Sequence, residues 1–477
     1  MPHATVAIIQ LFDSLQAQTK REKLCTTLRQ LIRSGMLTSG ERLPSSRLLA
    51  SDLALSRITV EATYAQLESE GYLQRQIGKG TFVSVSLADH PPRKKPPEPT
   101  AATLSARGNR IVATGGCQDP LFPQAFAAGS PDLHAFPHAI WRRLVGQRLR
   151  HAPEEMMRYG HPQGLPLLQH TVARYLAQSR GVRCEPEQVM ILTSSQQALQ
   201  MLALLLCDAG DTVWLEEPGY SGARNAFISA GANVIPMPLD EEGATIPDKK
   251  AAKLVYLTPS HQYPTGVAMT LPRRLQWLTF ARREGCWLLE DDYDSEFYYQ
   301  DQPMPALQGL DDSNRVLYLG TFSKVLFPSL RLAYLVVPPS LVDPLSKLRS
   351  VMDGHSAQLM QAVTADFINN GHFQAHLRLM RKLYASRRAL LLEQLASKLG
   401  DNLVPLSHSS GLQLAVTLPK GGEARLTEEA LQRGIILPRL SPLYSGHAQQ
   451  EGWILGFSAL QRAEIIQAVE KLAKLRY

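Results

Sequence analysis

Two kinds of hydrophobic spacing divide the chain into a short helical part and a longer part that alternates strands with helices. Near the N-terminus, apolar residues recur at helical spacing, with Leu24, Leu28 and Leu31 on one face. Farther along, short apolar runs of the kind found in buried strands are separated by helix-length segments. Seven of these runs predict strands, at 189–194, 211–217, 233–239, 253–259, 286–292, 316–321 and 332–338.

The order of these elements predicts an α/β fold in the longer part, with a mostly parallel seven-stranded sheet and helices on both faces. After about residue 345 helical patterns dominate, and two further strand candidates predict a smaller α+β domain. A proline-rich polar stretch at 86–110 lacks apolar periodicity and reads as an extended linker. We therefore predict four regions, at 1–85, 86–122 (the linker), 123–345 (a large domain) and 346–477 (a small domain).

Residues 23–85 follow the order helix, helix, turn, helix and wing. Either Ser45 or Ser46 can cap the second helix. Ser56 and Gly71 stand at the start and the end of the third helix. The segment YLQRQIGKGTFVSV then predicts two strands joined by a Gly-Lys-Gly tip. This order is that of a winged helix-turn-helix, whose third helix lies in the major groove of DNA.

Positive charge stands where such a groove-reading helix and wing need it, at Arg47, Arg57 and Lys79. The segments SGMLTSGERLPSSRLLA and GYLQRQIGKGTFV resemble the signature and the wing of the GntR family of transcription regulators. The chain carries an acidic residue, Glu61, at a position where some members of the family carry a basic one. The resemblance implies operator contacts at six positions: Arg47, Ser56, Arg57, Thr59, Gly78 and Lys79.

One lysine of the longer part, Lys324, lies between two apolar runs in YLGTFSKVLFPSLRLAYLVV. A buried charged lysine is costly, so such a residue lies at the surface or is used chemically. A carbonyl cofactor would use the amine as a nucleophile and remove its charge by forming a Schiff base. Pyridoxal 5'-phosphate (PLP) would also need a cation and a helix N-terminus for its phosphate, a carboxylate for its pyridine nitrogen and an aromatic platform.

Several side chains suit the phosphate. Arg331, seven residues after the lysine, can bind it as a fork, and Thr321 and Ser323 add hydroxyl groups. The segment LTSSQQAL ends a strand and opens a helix, so the amides near Ser195 and Gln196 would face an anion.

The carboxylate and the platform also have candidates. Asp291 and Asp292 end a strand at the carboxyl edge of the sheet, where ligands of α/β proteins bind. They point to opposite faces, so one would pair with the nitrogen and the other would be structural, and we favour Asp291 for the nitrogen. Tyr220, on the turn EEPGYSGAR, is the candidate stacking ring, and TPSHQYPTG supplies a polar loop after a strand.

The order of turn, polar loop, carboxylate and lysine resembles the fold-type I aminotransferases over residues 125–477. TPSHQYPTG looks like their NPTG loop, EDDYDSEF like their aspartate segment and GTFSKVLFPSLRLAY like their lysine-arginine segment. The resemblance implies that Lys324 holds PLP as a Schiff base and Asp291 pairs with the pyridinium. It also implies roles for Tyr293 at the phenolic oxygen, for Tyr220 in stacking, and for three phosphate-binding residues, Arg331, Thr321 and Ser195.

Three departures from that family change the details. Tyr263 replaces the loop asparagine, which leaves the phenolic oxygen to His261, Gln262 or Tyr293. The phosphate turn lacks a common glycine. The late arginine that clamps a substrate carboxylate falls at Ile454, so either Arg439 replaces it or the effector is not a simple α-amino acid.

A GntR reader joined to an aminotransferase-like domain is the arrangement of MocR/GabR-type regulators. The resemblance implies a DNA-binding transcription regulator that senses PLP or an amino compound by Schiff-base exchange at Lys324. It also implies a homodimer in which the reader of one chain contacts the other chain's aminotransferase domain. The alternative is an active aminotransferase on amino acids with an autoregulatory DNA-binding domain. A purely metabolic enzyme is disfavoured by the intact reader motif.

Composition narrows the class of protein further. The 477 residues are too many for one core. No apolar run reaches the ~20 residues of a membrane helix, and the N-terminus lacks the pattern of a signal peptide, so we expect no membrane partner. Five scattered cysteines fit a reducing cytoplasm and argue against a metal cluster. The net charge of +7 is compatible with an anionic partner such as DNA.

Overall fold

The computed structural model describes residues 3–84, 103–117, 125–151, 154–248, 252–299, 304–406 and 410–477. The chain divides into two compact units, residues 1–103 and 104–477. Most of the predicted linker, at 86–102 and 118–122, lies outside the described residues. Among the helices in the described ranges, none combines the length and the apolar character needed to cross a bilayer.

The first unit has the predicted winged helix-turn-helix architecture, preceded by a helix that the sequence analysis did not predict. The apolar face of the second helix packs into one core with the helices that follow. Ser45 rather than Ser46 caps the third helix, and Ser56 caps the fourth. The elements are α1 (His3–Ser14), α2 (Lys20–Arg33), α3 (Ser46–Asp52), α4 (Arg57–Ser69), β1 (Leu73–Gln76) and β2 (Gly80–Val83).

The second unit begins with helices and then alternates strands with helices, as predicted. Its elements up to the end of the large sheet are α5 (Ala106–Ala113), α6 (His138–His151), α7 (Pro166–Arg180), β3 (Val189–Leu192), α8 (Ser195–Leu206), β4 (Thr212–Glu217), α9 (Ser221–Ala230), β5 (Asn233–Asp240), β6 (Gly243–Ala244), β7 (Leu254–Leu257), α10 (Leu271–Glu284), β8 (Trp287–Asp292), α11 (Leu307–Leu310), β9 (Val316–Thr321), β10 (Ala333–Val336) and α12 (Pro339–Met352).

These strands form one large sheet in the order β3-β10-β9-β8-β7-β4-β5-β6. All seven predicted strands are present, and the two-residue β6 adds an eighth. Strands β9, β8, β7, β4 and β5 run parallel, whereas β10 is antiparallel to both of its neighbours. Alternate residues of the strands pack against α8, α9 and α12 on one face. The opposite face packs against α7, α10 and two later helices, Gln358–Asn369 and His372–Leu399, so the sheet is covered on both sides, as its apolar strands require.

The C-terminal part is α+β, as predicted, with a small antiparallel sheet in the order β11-β12-β13. One face of this sheet, which includes Leu414 and Leu455, joins the main core with α14 and α16. The other face includes Ile454, which packs with Ala128 and Tyr263. The elements are α13 (Gln358–Asn369), α14 (His372–Leu399), β11 (Val404–Pro405), β12 (Gln413–Thr417), α15 (Glu423–Gln432), β13 (Gly452–Gly456) and α16 (Arg462–Leu472).

Helix α5 lies within the range that the sequence analysis assigned to the linker. The Ser105 hydroxyl accepts a hydrogen bond from the Gly108 amide and so caps the helix. The helix packs against α9, and the Asn225 side chain donates to the Gly116 carbonyl just beyond it. The helix is only eight residues long and none of its residues is buried, so hydrophobic spacing along the chain did not reveal it. The predicted domain boundaries themselves stay a prediction.

A buried ion pair holds the segment before α6 against the long helix α14. Arg387 Nη2 donates to Asp132 Oδ2 at 2.7 Å, and both side chains are almost fully buried. The Tyr384 hydroxyl accepts from the Asp132 amide at 2.9 Å. These contacts fix the position of Asp132, three residues after Gly129. Gly129 itself lies beside the candidate site described below.

We predict that Arg387→Ala lowers the free energy of unfolding by about 3 kcal/mol, because it leaves the buried Asp132 carboxylate without its cation. The matched control is Lys347→Ala, which breaks an exposed ion pair with Asp343 and should cost less than about 1 kcal/mol. Urea unfolding of the two variants measures both values. Equal losses would contradict the role of the buried pair.

Candidate functional site

The carboxyl ends of the parallel strands β7, β8 and β9 meet at one edge of the large sheet and bring the predicted site residues together. Asp291 of β8 pairs with Leu319 of β9 in the strand register. Tyr256 of β7 lies beside β8, and Lys324 follows β9 by three residues. This edge is where ligands of parallel α/β sheets bind.

The Asp291 carboxylate is buried and only half satisfied. Its Oδ2 accepts a hydrogen bond from the Tyr256 hydroxyl at 2.7 Å. Its Oδ1 is buried and has no hydrogen-bond partner among the described residues. Burial raises the pKa of Asp291 to about 7, and the neighbouring charge of Asp292 adds to the shift. An unpaired buried carboxylate oxygen is costly, so this atom suits a donor supplied by a ligand.

One oxygen of the Asp292 carboxylate has its partners within the protein, whereas its Oδ1, like that of Asp291, is buried and has no hydrogen-bond partner among the described residues. Arg180 Nε donates to its Oδ2 at 2.7 Å, and the Tyr318 hydroxyl donates to the same oxygen at 2.6 Å. Burial alone would raise the pKa of Asp292, but Arg180 and the hydroxyl bond hold it below its usual value. The two neighbouring carboxylates therefore differ in charge balance, since Asp292 pairs with Arg180 and Asp291 has no ion pair with a described residue. The assignment of Asp291 to a ring nitrogen stays a prediction.

Lys324 is half-buried rather than enclosed, which corrects the expectation of a buried lysine. The lysine lies three residues after the end of β9, at the edge of the sheet where the site is. Gly129 has φ +66°, and a Cβ built on it would lie 2.8 Å from Lys324 Nζ. A side chain at position 129 would therefore collide with the amine as well as strain the backbone.

The predicted phosphate side chains are arranged in a loop after β9. Thr321 is buried, and its hydroxyl accepts a hydrogen bond from the Ser323 amide at 3.1 Å. Arg331 is exposed and holds a left-handed φ of +53°. Its guanidinium is thus accessible to an anion, and its role in binding phosphate stays a prediction.

The N-terminus of α8 supplies the predicted backbone amides. Ser195 is its first residue, and Ser194 is the cap, whose hydroxyl accepts from the Gln197 amide. The Gln196 side chain donates to the Gly222 carbonyl at 2.9 Å. Its Oε1 is buried and lacks a partner among the described residues. Gln196 therefore joins the start of α8 to that of α9.

Aromatic rings form one wall of the site. Tyr220 precedes α9 and meets Tyr263 edge-on at 5.8 Å between ring centroids. Tyr263 in turn meets Tyr293 edge-on at 6.1 Å. The Tyr293 hydroxyl lies 3.2 Å from His261 Nδ1, which is 3.0 Å from Asp294 Oδ1. The candidate platform and the candidates for the phenolic oxygen thus belong to one cluster.

The same cluster contacts the start of the small sheet. Asp294 Oδ2 accepts a hydrogen bond from the Leu412 amide at 3.3 Å. Gly411, with φ +84°, lies so close to His261 that a Cβ at this position would be 2.0 Å from the ring. We name His261, Asp294, Gly411 and Leu412 the sheet latch, because they join the edge of the large sheet to β12.

Sequence analysis missed Tyr256, Arg180, Gly129 and Gln413. Tyr256 lies within a predicted strand and Arg180 ends a helix, so neither stands out from its neighbours. Gly129 follows AFAA in the chain, and its left-handed φ and its closeness to Lys324 become apparent only in the structure. These residues reach the site through contacts between distant parts of the chain.

The predicted DNA-contacting residues lie at the starts of α3 and α4 and at the turn between β1 and β2. Arg47, Arg57 and Lys79 are exposed, as are Ser56 and Gly78, and Thr59 is half-buried at the start of α4. Glu61 accepts a hydrogen bond from Ser46 and lies within ion-pair distance of Arg57 and Arg75. Its charge is thus balanced inside the unit, which accounts for an acidic residue on a surface predicted to face DNA.

Each of the two units matches the model of a known protein family. Residues 126–472 match the family aminotransferase class I and II. Residues 20–83 match the bacterial regulatory proteins of the gntR family.

Similar proteins include regulators and an enzyme. The probable rhizopine catabolism regulatory protein MocR of Rhizobium meliloti is 39% identical over 94% of this chain and 92% of its own length. The pyridoxine biosynthesis transcriptional regulator PdxR of Corynebacterium glutamicum is 30% identical over 92% of this chain and 91% of its own. The crystal structure of LysN, an α-aminoadipate aminotransferase of Thermus thermophilus complexed with N-(5'-phosphopyridoxyl)-L-leucine, has a TM-score of 0.68 at 28% identity and covers 78% of this chain and 94% of its own.

The raised pKa of Asp291 predicts a pH dependence of stability. An aspartate of an unfolded chain titrates near pH ~4, whereas Asp291 in the folded protein titrates at about 7. The stability gained by keeping this group protonated is full below the unfolded pKa and is lost as the pH rises through about 7. We therefore expect Asp291→Asn to reduce the fall in melting temperature of the cofactor-free protein between pH 6 and pH 8.

Calorimetry at the two pH values measures this effect. The control variant is Asp343→Asn, which changes an exposed aspartate and should leave the wild-type pH dependence intact. The same fall in melting temperature for Asp291→Asn and the wild type would contradict the prediction.

For the first unit, we predict that Arg57→Ala weakens binding to operator DNA at least about tenfold, because a guanidinium contact contributes ~1–3 kcal/mol. The control is Arg21→Ala, an exposed arginine whose side chain donates to Gln66, toward the other end of α4. Fluorescence anisotropy at fixed salt, with DNA from upstream of the protein's own gene, compares the two variants. Unchanged affinity in Arg57→Ala would contradict the assigned contact.

Proposed function

The chain belongs to the GntR-family transcription regulators of the MocR/GabR type, and we propose that it controls transcription by sensing PLP or an amino compound at Lys324. The first unit is its DNA reader, and the second is an aminotransferase-like domain that binds PLP. The sensing step, the effector and the direction of control are the parts that we propose rather than take from the family.

The single observation that carries the cofactor assignment within this chain is the unpaired Oδ1 of Asp291. PLP has a ring nitrogen that becomes a cationic donor when protonated, which is the partner that a buried carboxylate oxygen needs. Asp292 also has an unpaired Oδ1, but its charge is already balanced by Arg180, whereas Asp291 has no ion pair with a described residue and is the better partner for a cationic donor. The donor set around the strand ends therefore fits PLP.

When bound, PLP supplies an aldehyde that condenses reversibly with primary amines. The residues of this chain would hold it in a defined orientation. Asp291 would keep the ring nitrogen protonated, and Tyr220 would stack on the ring. Lys324 would provide the amine that an effector amine displaces. Thr321, Ser195 and Arg331 would bind the phosphate.

The relatives support this assignment. PdxR is by its name a regulator of pyridoxine biosynthesis, and the LysN structure holds a phosphopyridoxyl compound of leucine. A domain with the same fold and the same order of lysine and aspartate is suited to the same class of ligand. We propose that in this chain the ligand serves as a signal, because a DNA reader is joined to the site.

An effector can change DNA binding only if it binds one conformation of the protein more tightly than another. The sheet latch offers a physical route for such a preference, since it joins the site to the small sheet by the Asp294–Leu412 hydrogen bond. We propose that displacement of Lys324 by an amine alters the position of the small sheet. The predicted linker would carry that change to the DNA reader.

We also propose a homodimer with head-to-tail exchange of the DNA readers, because a regulator that reads paired half-sites needs paired reading domains. Several large apolar side chains are exposed on the second unit and are suited to contact a second copy of this chain. Tyr159 is 98% exposed and Val351 is 85% exposed, with Met157 and Met352 also exposed. A protein that reads operator DNA acts where the DNA lies, which places it in the cytoplasm.

The second candidate function is an active aminotransferase with an autoregulatory DNA reader. The lysine, the unpaired aspartate oxygen and the likeness to LysN favour it. Ile454, at the position of the carboxylate-clamping arginine, counts against α-amino acids as substrates. Arg439 does not replace that arginine, because its Nε donates to Glu423 at 3.0 Å and its Nη2 donates to Ser441.

We expect the purified full-length protein to be yellow with PLP, and borohydride reduction to attach the cofactor to Lys324, as peptide mapping can show. Lys324→Ala should abolish this attachment and the effect of PLP on a DNA footprint, while DNA binding without PLP persists. Lys347→Ala, at an exposed lysine, is the matched control and should behave as the wild type.

A colourless protein that ignores added PLP would overturn the cofactor assignment. A footprint that responds to PLP equally in Lys324→Ala and the wild type would overturn the sensing role of this lysine. Turnover of amino acids with no effect on the footprint would favour the enzyme.

A further inference from the structure

One face of the small sheet is turned away from the main core. The structure describes β12 and β13 in full, and none of their residues on this face is charged. Strand pairing places Ala415 opposite Ile454 and Gln413 opposite Gly456, so these four residues share one face. Ile454 packs with Ala128 and Tyr263, on the side of the candidate site. A Cβ on Gly456 would be 2.0 Å from the Ala127 carbonyl, which shows how closely the segment before Gly129 crosses this face.

Gln413 is the polar residue of this face that reaches the amine of Lys324. A Cβ built on Gly129 would lie 2.8 Å from Lys324 Nζ and 3.7 Å from Gln413 Oε1, so the amine and the amide face the same small volume. Gln413 is 6% exposed, and its side-chain amide has no hydrogen bond to the described residues. An amide without a protein partner is available to a group that a ligand supplies.

The sheet latch fixes Gln413 in this position. The Leu412 amide, one residue before it, donates to Asp294, and Gly411 packs against His261. The amide is thus presented by a strand whose start is anchored to the site rather than by a free loop. Such anchoring is what a residue needs if it is to discriminate between ligands.

The chemistry of this face excludes one class of effector and favours another. A carboxylate placed against Ile454 and Ala415 would lose its hydration without gaining a cation, which is unfavourable. The Gln413 amide is uncharged and can both donate and accept hydrogen bonds. It is therefore a suitable partner for a hydroxyl group or a second amide, each of which also donates and accepts. Arg439 adds no cation here, because it is bound to the buried Glu423.

We infer that Gln413 is a specificity-determining residue that selects primary amines bearing a neutral hydroxyl or amide group next to the amine-bearing carbon, over the corresponding carboxylates. This inference rests on the proposed function, because it assumes that amines react at the PLP held by Lys324. It names the chemical class of effector that the site accepts.

The test uses the full-length protein loaded with PLP and four amines: methylamine, L-alaninol, L-alaninamide and L-alanine. The last three share one carbon skeleton and differ in the group that would face Gln413. The absorbance change as each amine displaces Lys324 gives a half-saturating concentration, and a footprint on operator DNA gives a second readout. We expect alaninol and alaninamide to half-saturate the protein at concentrations at least about tenfold below that of alanine.

Gln413→Leu should raise the half-saturating concentrations of alaninol and alaninamide about three- to tenfold, the usual effect of one lost hydrogen bond. It should leave methylamine unchanged, because methylamine has no group to reach this position. Gln432→Leu, at an exposed glutamine at the end of α15, is the matched control and should change none of the four values.

Alanine binding as tightly as alaninol, or equal effects of Gln413→Leu on all four amines, would overturn the inference. If Gln413→Leu fails to take up PLP, the ranking of the amines on the wild-type protein decides, since it needs no substitution. Failure of methylamine to displace Lys324 would instead overturn the proposed function, and this inference with it. A response to methylamine combined with a preference for alanine overturns only the inference.

Discussion

The candidate site of the second unit depends on one constraint, the burial of the Asp291 carboxylate at the edge of the large sheet with one of its oxygens unpaired. Tyr256 bonds one oxygen of Asp291 and leaves the other without a donor. The neighbouring Asp292 also has one unpaired oxygen, but Arg180 balances its charge, so Asp291 is the one of the two carboxylates that has no cation among the described residues. Burial of this kind is unfavourable in the empty protein and becomes favourable when a ligand brings a cationic donor.

Contacts around that carboxylate link the large sheet to the small one. His261 and Asp294 lie beside Tyr293 on the site and also hold Gly411 and Leu412 at the start of β12. A ligand that moves any of these side chains therefore acts directly on the strand that carries Gln413. This arrangement satisfies the physical requirement for signalling, namely that ligand binding and the position of a second element share the same contacts.

The two units combine a surface for DNA with a site for a reactive small molecule. On the first unit, exposed basic residues stand at the start of a helix and at a wing tip, and Glu61 is neutralised by its neighbours. On the second, the lysine keeps some contact with solvent, as displacement by an incoming amine requires. A chain with both properties is suited to regulation, and its neutral small-sheet face distinguishes it from enzymes that must grip a carboxylate.

The amino-acid sequence by itself determined the elements and the order of the chemical groups along them. Strand runs, helix caps such as Ser56 and the motif around Lys324 depend on local spacing, which a sequence displays directly. The parallel topology implied by those runs was enough to gather Lys324, Asp291 and Tyr220 at one edge. Only the tertiary structure decided which aspartate is paired with a cation, because Arg180 lies 112 residues from Asp292. It also decided that Gly129 and Gln413 face Lys324 and that Arg439 is bound to Glu423, since contacts between distant segments leave no periodic trace in the chain.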